Sequence, residues 1–342
     1  MKGKNKIILL IILFLIAIGL SLTLFFMIRG EQVKSKQADL EMSQRQTDRV
    51  IDENQSSDNE TVKELPLEGV VCWGDSLTAG LAGGYPKVLE ECLKESGNMI
   101  PVENEGIIGE GTTQIMARAG ATPYKVANAI LIPPKAEPVF LKIVGANNKV
   151  IRNFPKGKFQ YTEVTLNGIS GTITKNSEKA GWDFIRDFDG ESAYVSANSS
   201  IRFNYVDRYK NYIPIIFMGT NGGFSSIENL IEQQQAILDT FPDQKKFLII
   251  GLTHQTVVDE DKLDQELQEH WGKHFINLRE YFSGQGVYDA GFKPKSSDLE
   301  QMKEGIVPSI IRTDAVHYKM EGYQVLGKYI YQRMLDLGYV KK

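Results

Sequence analysis

Residues Gly69 to Leu93 read "GVVCWGDSLTAGLAGGYPKVLEECL", and the fold is decided there. The apolar run Gly69–Trp73 has the length and β-branched character of a buried strand. Gly74-Asp75-Ser76 is a small polar turn. After a glycine-rich stretch, Pro86 stands where a first helical turn tolerates proline, and the apolar spacing that follows predicts a helix over 86–96. Strand, turn and helix in that order open an α/β unit. The alternation recurs downstream, with strands predicted at 99–104, 212–218, 245–252 and 274–278. Helices are predicted at 112–119, 225–241, 259–270 and 320–337. Short apolar runs separated by helical periodicity predict a parallel sheet with helices on its faces.

One segment breaks the pattern. From 137 to 206 the chain reads as strands and turns, with alternating "FQYTEVTL" and an Asn167-Gly168 hairpin signal. An inserted small β subdomain is predicted there, following the boundary residues Pro133-Pro134. Upstream, Lys2, Lys4 and Lys6 precede an uncharged run from Ile7 to Ile28. That run is long enough to span a bilayer and carries no small-x-small cleavage signal. Residues 1–28 therefore read as a single-pass membrane anchor, and the polar, mixed-charge stretch 29–65 as a tether. The rest, 66–342, is the folded part and is expected outside the cytoplasm.

The 342 residues carry a net charge of −4, which gives no electrostatic footprint for a nucleic-acid partner. Cys72 and Cys92 are the only cysteines, too few for a disulfide framework or a thiolate metal site, and they read as buried free thiols rather than a bridge. No H-E-x-x-H or Cys/His cluster suggests a metal, and no phosphate-binding glycine motif or cofactor fingerprint is present. The G-x-S-x-G elbow of α/β-hydrolases is missing too.

Open parallel sheets bind substrate at the carboxyl ends of their strands, so those ends identify the candidate site. The first strand ends in Gly74-Asp75-Ser76, and the second in "NEGIIGEGT", Asn104 to Thr112. The third ends in "GTNGG", Gly219 to Gly223, and the fourth in Thr253-His254. Beyond the fifth, Asp314 and His317 lie in a loop just before the last helix. A serine hydroxyl needs a base to take its proton, and the base needs a carboxylate to fix its tautomer. Asp314 and His317 can pair locally and present the far imidazole nitrogen to Ser76. The backbone N–H groups of Ser76 and Gly109 and the amide of Asn221 can serve a tetrahedral oxyanion. His254 on the same rim, and Tyr85 beside the glycine-rich loop, are candidates for substrate contact. His270 and His274 read as structural.

Taken together, these blocks resemble the SGNH (GDSL-type) hydrolases. Gly74-Asp75-Ser76-Leu77, Asn104 through Gly109, Gly219-Thr220-Asn221 and Asp314-Ala315-Val316-His317 fall in the family's order. The resemblance covers roughly 66–136 and 207–342. It implies a flavodoxin-like three-layer α/β/α fold, with Ser76 as nucleophile and oxyanion donor. Gly109 and Asn221 would complete the oxyanion hole, His317 would be the base and Asp314 its orienting carboxylate, with no cofactor. Two departures stand out: Asn221 is followed by Gly222 where many members have Asp, and the β insert lies outside the minimal fold. The expected activity is hydrolysis of acyl esters, most simply acetate, on a carbohydrate or cell-envelope glycan. Lysophospholipase or acyltransferase chemistry at the same serine remains open, as does a non-catalytic glycan-binding role.

Overall fold

The computed structural model describes residues 67–145, 150, 163–242, 245–254 and 257–342. The anchor at 1–28 and the whole of the tether at 29–65 lie outside the described residues. Among the described residues no helix is long and apolar enough to cross a membrane.

The protein is a mixed α/β fold. Strand β1 (Gly69–Gly74) runs into the single-turn helix α1 (Ser76–Ala79), and α2 (Gly84–Glu95) follows. Next come β2 (Val102–Gly106) and α3 (Thr112–Arg118). After a long antiparallel segment the chain returns through β12 (Tyr212–Phe217), α4 (Ile227–Leu238), β13 (Leu248–Ile250), α5 (Glu260–Trp271) and β14 (Phe275–Ile276). Short helices α6 (Leu278–Phe282), α7 (Gln285–Asp289) and α8 (Ser296–Lys303) lead to α9 (Met320–Asp336). The five strands pair in parallel in the order β14-β13-β12-β1-β2. The chain moves one way from β1 to β2 and the other way through β12, β13 and β14. The direction therefore reverses between β1 and β12, where open α/β sheets form their ligand crevice.

Burial explains why the parallel strands read as unbroken apolar runs. All six residues of β1 are buried, as are five of the six in β12 and all of β13, because helices cover the sheet. The helices form two packing groups, α2 with α9 and α7, and α3 with α4 and α5. Helix α9 lies so close to α2 that a Cβ on Gly327 would stand 2.6 Å from Val88 Cβ.

Between β2 and β12 the strands are antiparallel: β3 (Tyr124–Val126), β4 (Ile130–Ile132), β5 (Val139–Leu141), β6 (Ile143–Val144), β7 (Glu163–Leu166), β8 (Ile169–Lys175), β9 (Trp182–Arg186), β10 (Ala193–Val195) and β11 (Ser200–Phe203). Seven of them pair in the order β5-β9-β8-β7-β11-β3-β6, and β10 pairs separately with β4. The edge strands β5 and β6 are separated only by Lys142, so the seven-stranded sheet curls almost into a barrel. Here burial alternates, with Val164, Leu166, Ile201, Phe203, Trp182 and Phe184 inside. Asn167 and Gly168 both take positive φ in the β7–β8 turn, which closes on the Leu166–Ile169 pair. The antiparallel strands begin at Tyr124, upstream of the boundary at 137. Strands β3 and β4 span three residues each, too few to establish an alternation in the sequence. Cys72 and Cys92 are both free, Cys72 buried and Cys92 only partly so.

Candidate active site

Ser76 is the first residue of α1, directly beyond the buried β1. Asp75 caps that turn, its Oδ1 accepting the Leu77 N–H at 2.9 Å. The turn lies flat on the strand ends because two glycines admit it. A Cβ on Gly106 would meet Ala79 N at 2.0 Å, and one on Gly74 would meet Thr78 Oγ1 at 2.1 Å. Asn104 fastens the loop from the side: its Nδ2 donates to the carbonyls of Thr78 and Gly83, each at 3.1 Å, and its Oδ1 accepts from Gly106 N at 3.0 Å. The serine is thus held on rigid backbone.

His317 and Asp314 come from the loop before α9. The Thr313 N–H donates to the His317 carbonyl at 2.9 Å, Arg312 Nη1 donates to Ala315 O at 2.9 Å, and Arg312 bridges to Tyr318. Tyr318 is buried, with its hydroxyl 2.5 Å from Thr253 Oγ1, so the residue after His317 is locked to the end of β13. His317 Nε2 stands 2.8 Å from Ser76 Oγ, and Nδ1 stands 2.9 and 3.1 Å from the two oxygens of Asp314. Asp314 Oδ1 also accepts the backbone N–H groups of Val316 and His317, each at 2.8 Å. These backbone bonds first, and the His317 side chain next, hold the Asp314 carboxyl down at about 2 although its side chain is 57% exposed. The result is a hydroxyl facing an imidazole whose other nitrogen faces a carboxylate held ionised well below its ordinary range, a geometry that can activate a nucleophile.

The three expected oxyanion donors come from neighbouring strand ends, since Gly74 pairs with Gly106 on one side and Phe217 on the other. Gly109 is exposed with φ +80°, open space around its Cα, and an N–H that makes no hydrogen bond among the described residues. Asn221 Nδ2 donates to Glu110 O at 3.0 Å, and Thr112 N donates to Gly222 O at 2.9 Å. The loops after β2 and β12 are therefore laced together. One amide hydrogen of Asn221 remains for a ligand.

Two expected contacts look different in the structure. Tyr85 is fully buried in the first turn of α2, its ring packed against Phe217 and its hydroxyl 3.4 Å from Thr78 Oγ1. It faces the sheet and cannot line a substrate cleft. His254 stands half-buried beyond β13, its Nδ1 3.7 Å from Glu260 Oε1, and it is His317 that reaches Ser76. His274 stacks on Phe247 with Nδ1 2.5 Å from the Tyr339 hydroxyl, a packing role. Among the described residues no group of three His, Cys, Asp or Glu side chains is placed to hold a metal ion.

Below the site lies a set of buried charges that motif reading passed over. Asp75 is fully buried, and burial pushes its carboxyl up to about 6, opposed by the Leu77 N–H and by the charge of His317. Glu105, Glu110 and Arg118 are buried together, with Arg118 Nε 2.7 Å from Glu110 Oε2. Burial also raises the Glu110 carboxyl, against the pull of Arg118. The available signal is the polar run "VENEG" in a strand position where apolar residues are the rule.

Neither a protein-family model nor a curated protein matches the chain. Among solved structures it overlaps pyruvate kinase from Pyrobaculum aerophilum at a TM-score of 0.20 and 8% identity, over 81% of this chain and 74% of that one, which is no likeness of fold.

Proposed function

We propose that the protein is a serine ester hydrolase of the SGNH type, forming an acyl-enzyme on Ser76. The observation that carries this reading is the continuous chain Ser76 Oγ, His317 Nε2, His317 Nδ1 and Asp314 carboxylate, spanning 2.8 and 2.9 Å. The parallel order β14-β13-β12-β1-β2, with helices in two packing groups, supports the three-layer flavodoxin-like arrangement of that family. In the reaction, Ser76 Oγ bonds the ester carbonyl carbon as His317 Nε2 takes its proton. The carbonyl electron pair moves onto oxygen, opposite the Gly109 and Ser76 N–H groups and the Asn221 amide. Collapse breaks the bond to the alcohol, which leaves with the proton from His317. Water then gives its proton to His317, attacks the acyl-serine, and releases the acid as Ser76 recovers its hydrogen.

An acyl group on a glycan is the substrate reading, with the protein tethered outside the membrane by residues 1–28. It is supported by the aromatic side chains of Tyr194 and Phe188, both exposed on the antiparallel subdomain, where sugar rings can stack. A second reading, a longer acyl chain of a lipid, is favoured by Ile108, 80% exposed beside Gly109, and by exposed Leu81 just past Ser76. The test is covalent labelling with a fluorophosphonate, expected at Ser76 and lost in Ser76→Ala. A folded wild-type protein that is not labelled would sink the enzyme reading. Acetate release from acetylated glycans, set against cleavage of esters of increasing chain length, separates the two substrate readings.

A further inference from the structure

The guanidinium of Arg118 joins three pieces of the site at once. Its Nη2 donates to the carbonyl of Glu105 at 2.9 Å and to that of Gly74, two residues before Ser76, at 3.3 Å. Its Nε donates to Glu110 Oε2 at 2.7 Å, and Nη1 lies 3.4 Å from Glu105 Oε2. Glu110 shares a peptide bond with Gly109, and its carbonyl accepts the Asn221 amide at 3.0 Å. One side chain, 1% exposed, thereby ties the nucleophile strand to the loop that carries Gly109 and, through the Glu110 carbonyl, to Asn221 on the loop after β12.

Arg118 is gripped in turn from the antiparallel subdomain. A two-turn 3-10 helix, Asn204–Tyr209, follows β11 directly. From it Tyr205 donates its hydroxyl to Arg118 O at 2.6 Å, and Tyr209 donates to Glu105 Oε1 at 2.7 Å. The Tyr209 ring meets Trp73 edge-on at 5.8 Å, and Arg118 lies 5.4 Å from the centroid of the same indole. Stability alone is a poor account of such a cluster, because a buried ion group is often no more stable than apolar packing of equal volume. A planar fork with five donors is, by contrast, suited to fixing several acceptors in one geometry, which an ammonium cannot copy.

We propose that Arg118 is a positioning residue for the oxyanion loop, held by Tyr205 and Tyr209, so that the seating of the antiparallel subdomain sets the rate of the chemical step. The inference rests on the esterase reading and goes beyond it, because it places rate control in residues that touch no substrate. The effect falls on kcat rather than KM, since displacing donors from the position of the developing oxyanion weakens only the transition state.

The experiment uses the full chain with an aryl acetate and a fluorophosphonate, comparing wild type, Arg118→Lys, Tyr209→Phe and Asn221→Ala. Arg118→Lys should lower kcat by about 10- to 100-fold with KM within about twofold, at temperatures where circular dichroism matches wild type. Tyr209→Phe should lower kcat by about 3- to 10-fold, the loss of one hydrogen bond to a charged group softened by the rest of the network. Combined with Asn221→Ala, the Arg118→Lys effect should shrink, because both act on one loop. Wild-type kcat in folded Arg118→Lys and Tyr209→Phe, or full multiplication of effects with Asn221→Ala, would overturn the proposal. Should Arg118→Lys fail to fold, Tyr209→Phe and the near-isosteric Glu105→Gln decide by the same criterion. An unlabelled, inactive wild type would overturn the esterase reading and this inference together; a labelled wild type with unaltered variants overturns this inference alone.

Discussion

Asp75→Asn should stabilise the protein at pH 8 and have little effect near pH 4. Asp75 is fully buried, Oδ1 takes the Leu77 N–H, and burial raises its carboxyl from the ordinary 3.8 to about 6. Between those values the folded chain holds a proton that the unfolded chain has released. Stability therefore falls as pH rises through that window, by about 3 kcal/mol for a shift of roughly two units. Asn removes the titration while keeping an oxygen acceptor, and it caps a helix start about as well as Asp. Against this gain stands an imperfect fit of the amide, about 1 kcal/mol. The expected balance is a gain of about 1–3 kcal/mol at pH 8, fading to near zero at pH 4. Urea unfolding followed by tryptophan fluorescence across pH 4–8, with equal m-values in the two proteins, measures it. A wild-type-to-variant difference that stays flat with pH, or a variant less stable at pH 8, would refute the reasoning.

Asp314→Asn should leave the exposed loop folded yet cut kcat by about 10³- to 10⁴-fold by releasing the imidazole tautomer; steady-state rates beside circular dichroism check this, and near-normal turnover would move the orienting role elsewhere. Because the Asp314 carboxyl is held at about 2, its contribution is present above the ordinary 3.8 and is lost only as pH falls through about 2. The acid limb of the wild-type kcat/KM profile should therefore lie well above pH 2. Gly106→Ala drives a Cβ against Ala79 N at 2.0 Å and Thr78 C at 2.6 Å, backbone that cannot swing aside. The expected cost is about 3 kcal/mol or more, read as a lowered Tm or insoluble protein, and a wild-type Tm would contradict the close approach.

What could be read from the sequence depends on how local each feature is. The parallel strands were visible because a strand covered on both faces needs no polar residue, and "GVVCW" and "YIPIIFM" have none. The pairing of Asp314 with His317 was visible because the two lie three residues apart. The glycines before Tyr85 suggest an exposed loop, whereas α2 already begins at Gly84 and turns that ring toward Phe217. The short strands β3 and β4 left no readable period. The roles of Glu105, Glu110 and Arg118 could not be read at all. A charged residue is ordinarily solvated, and only the arrival of Tyr205 and Tyr209 from far along the chain makes these three a buried unit.

That buried unit also bears on why the strand ends carry so much unfavourable charge. Asp75, Glu105 and Glu110 are three buried acids, Arg118 is the guanidinium bonded to the latter two, and Glu110 adds to the upward push on Asp75. A scaffold selected for stability alone would fill such a space with apolar side chains. Asp75 and His317 attract one another, so negative charge beneath the serine favours the imidazolium that forms as Ser76 loses its proton. The same charge opposes an oxyanion, which makes closely placed N–H donors the more necessary at the ends of β1 and β2. Arg118 answers both demands: it offsets part of the charge, and its bonds to the Gly74 and Glu105 carbonyls and the Glu110 carboxylate fix where those donors stand.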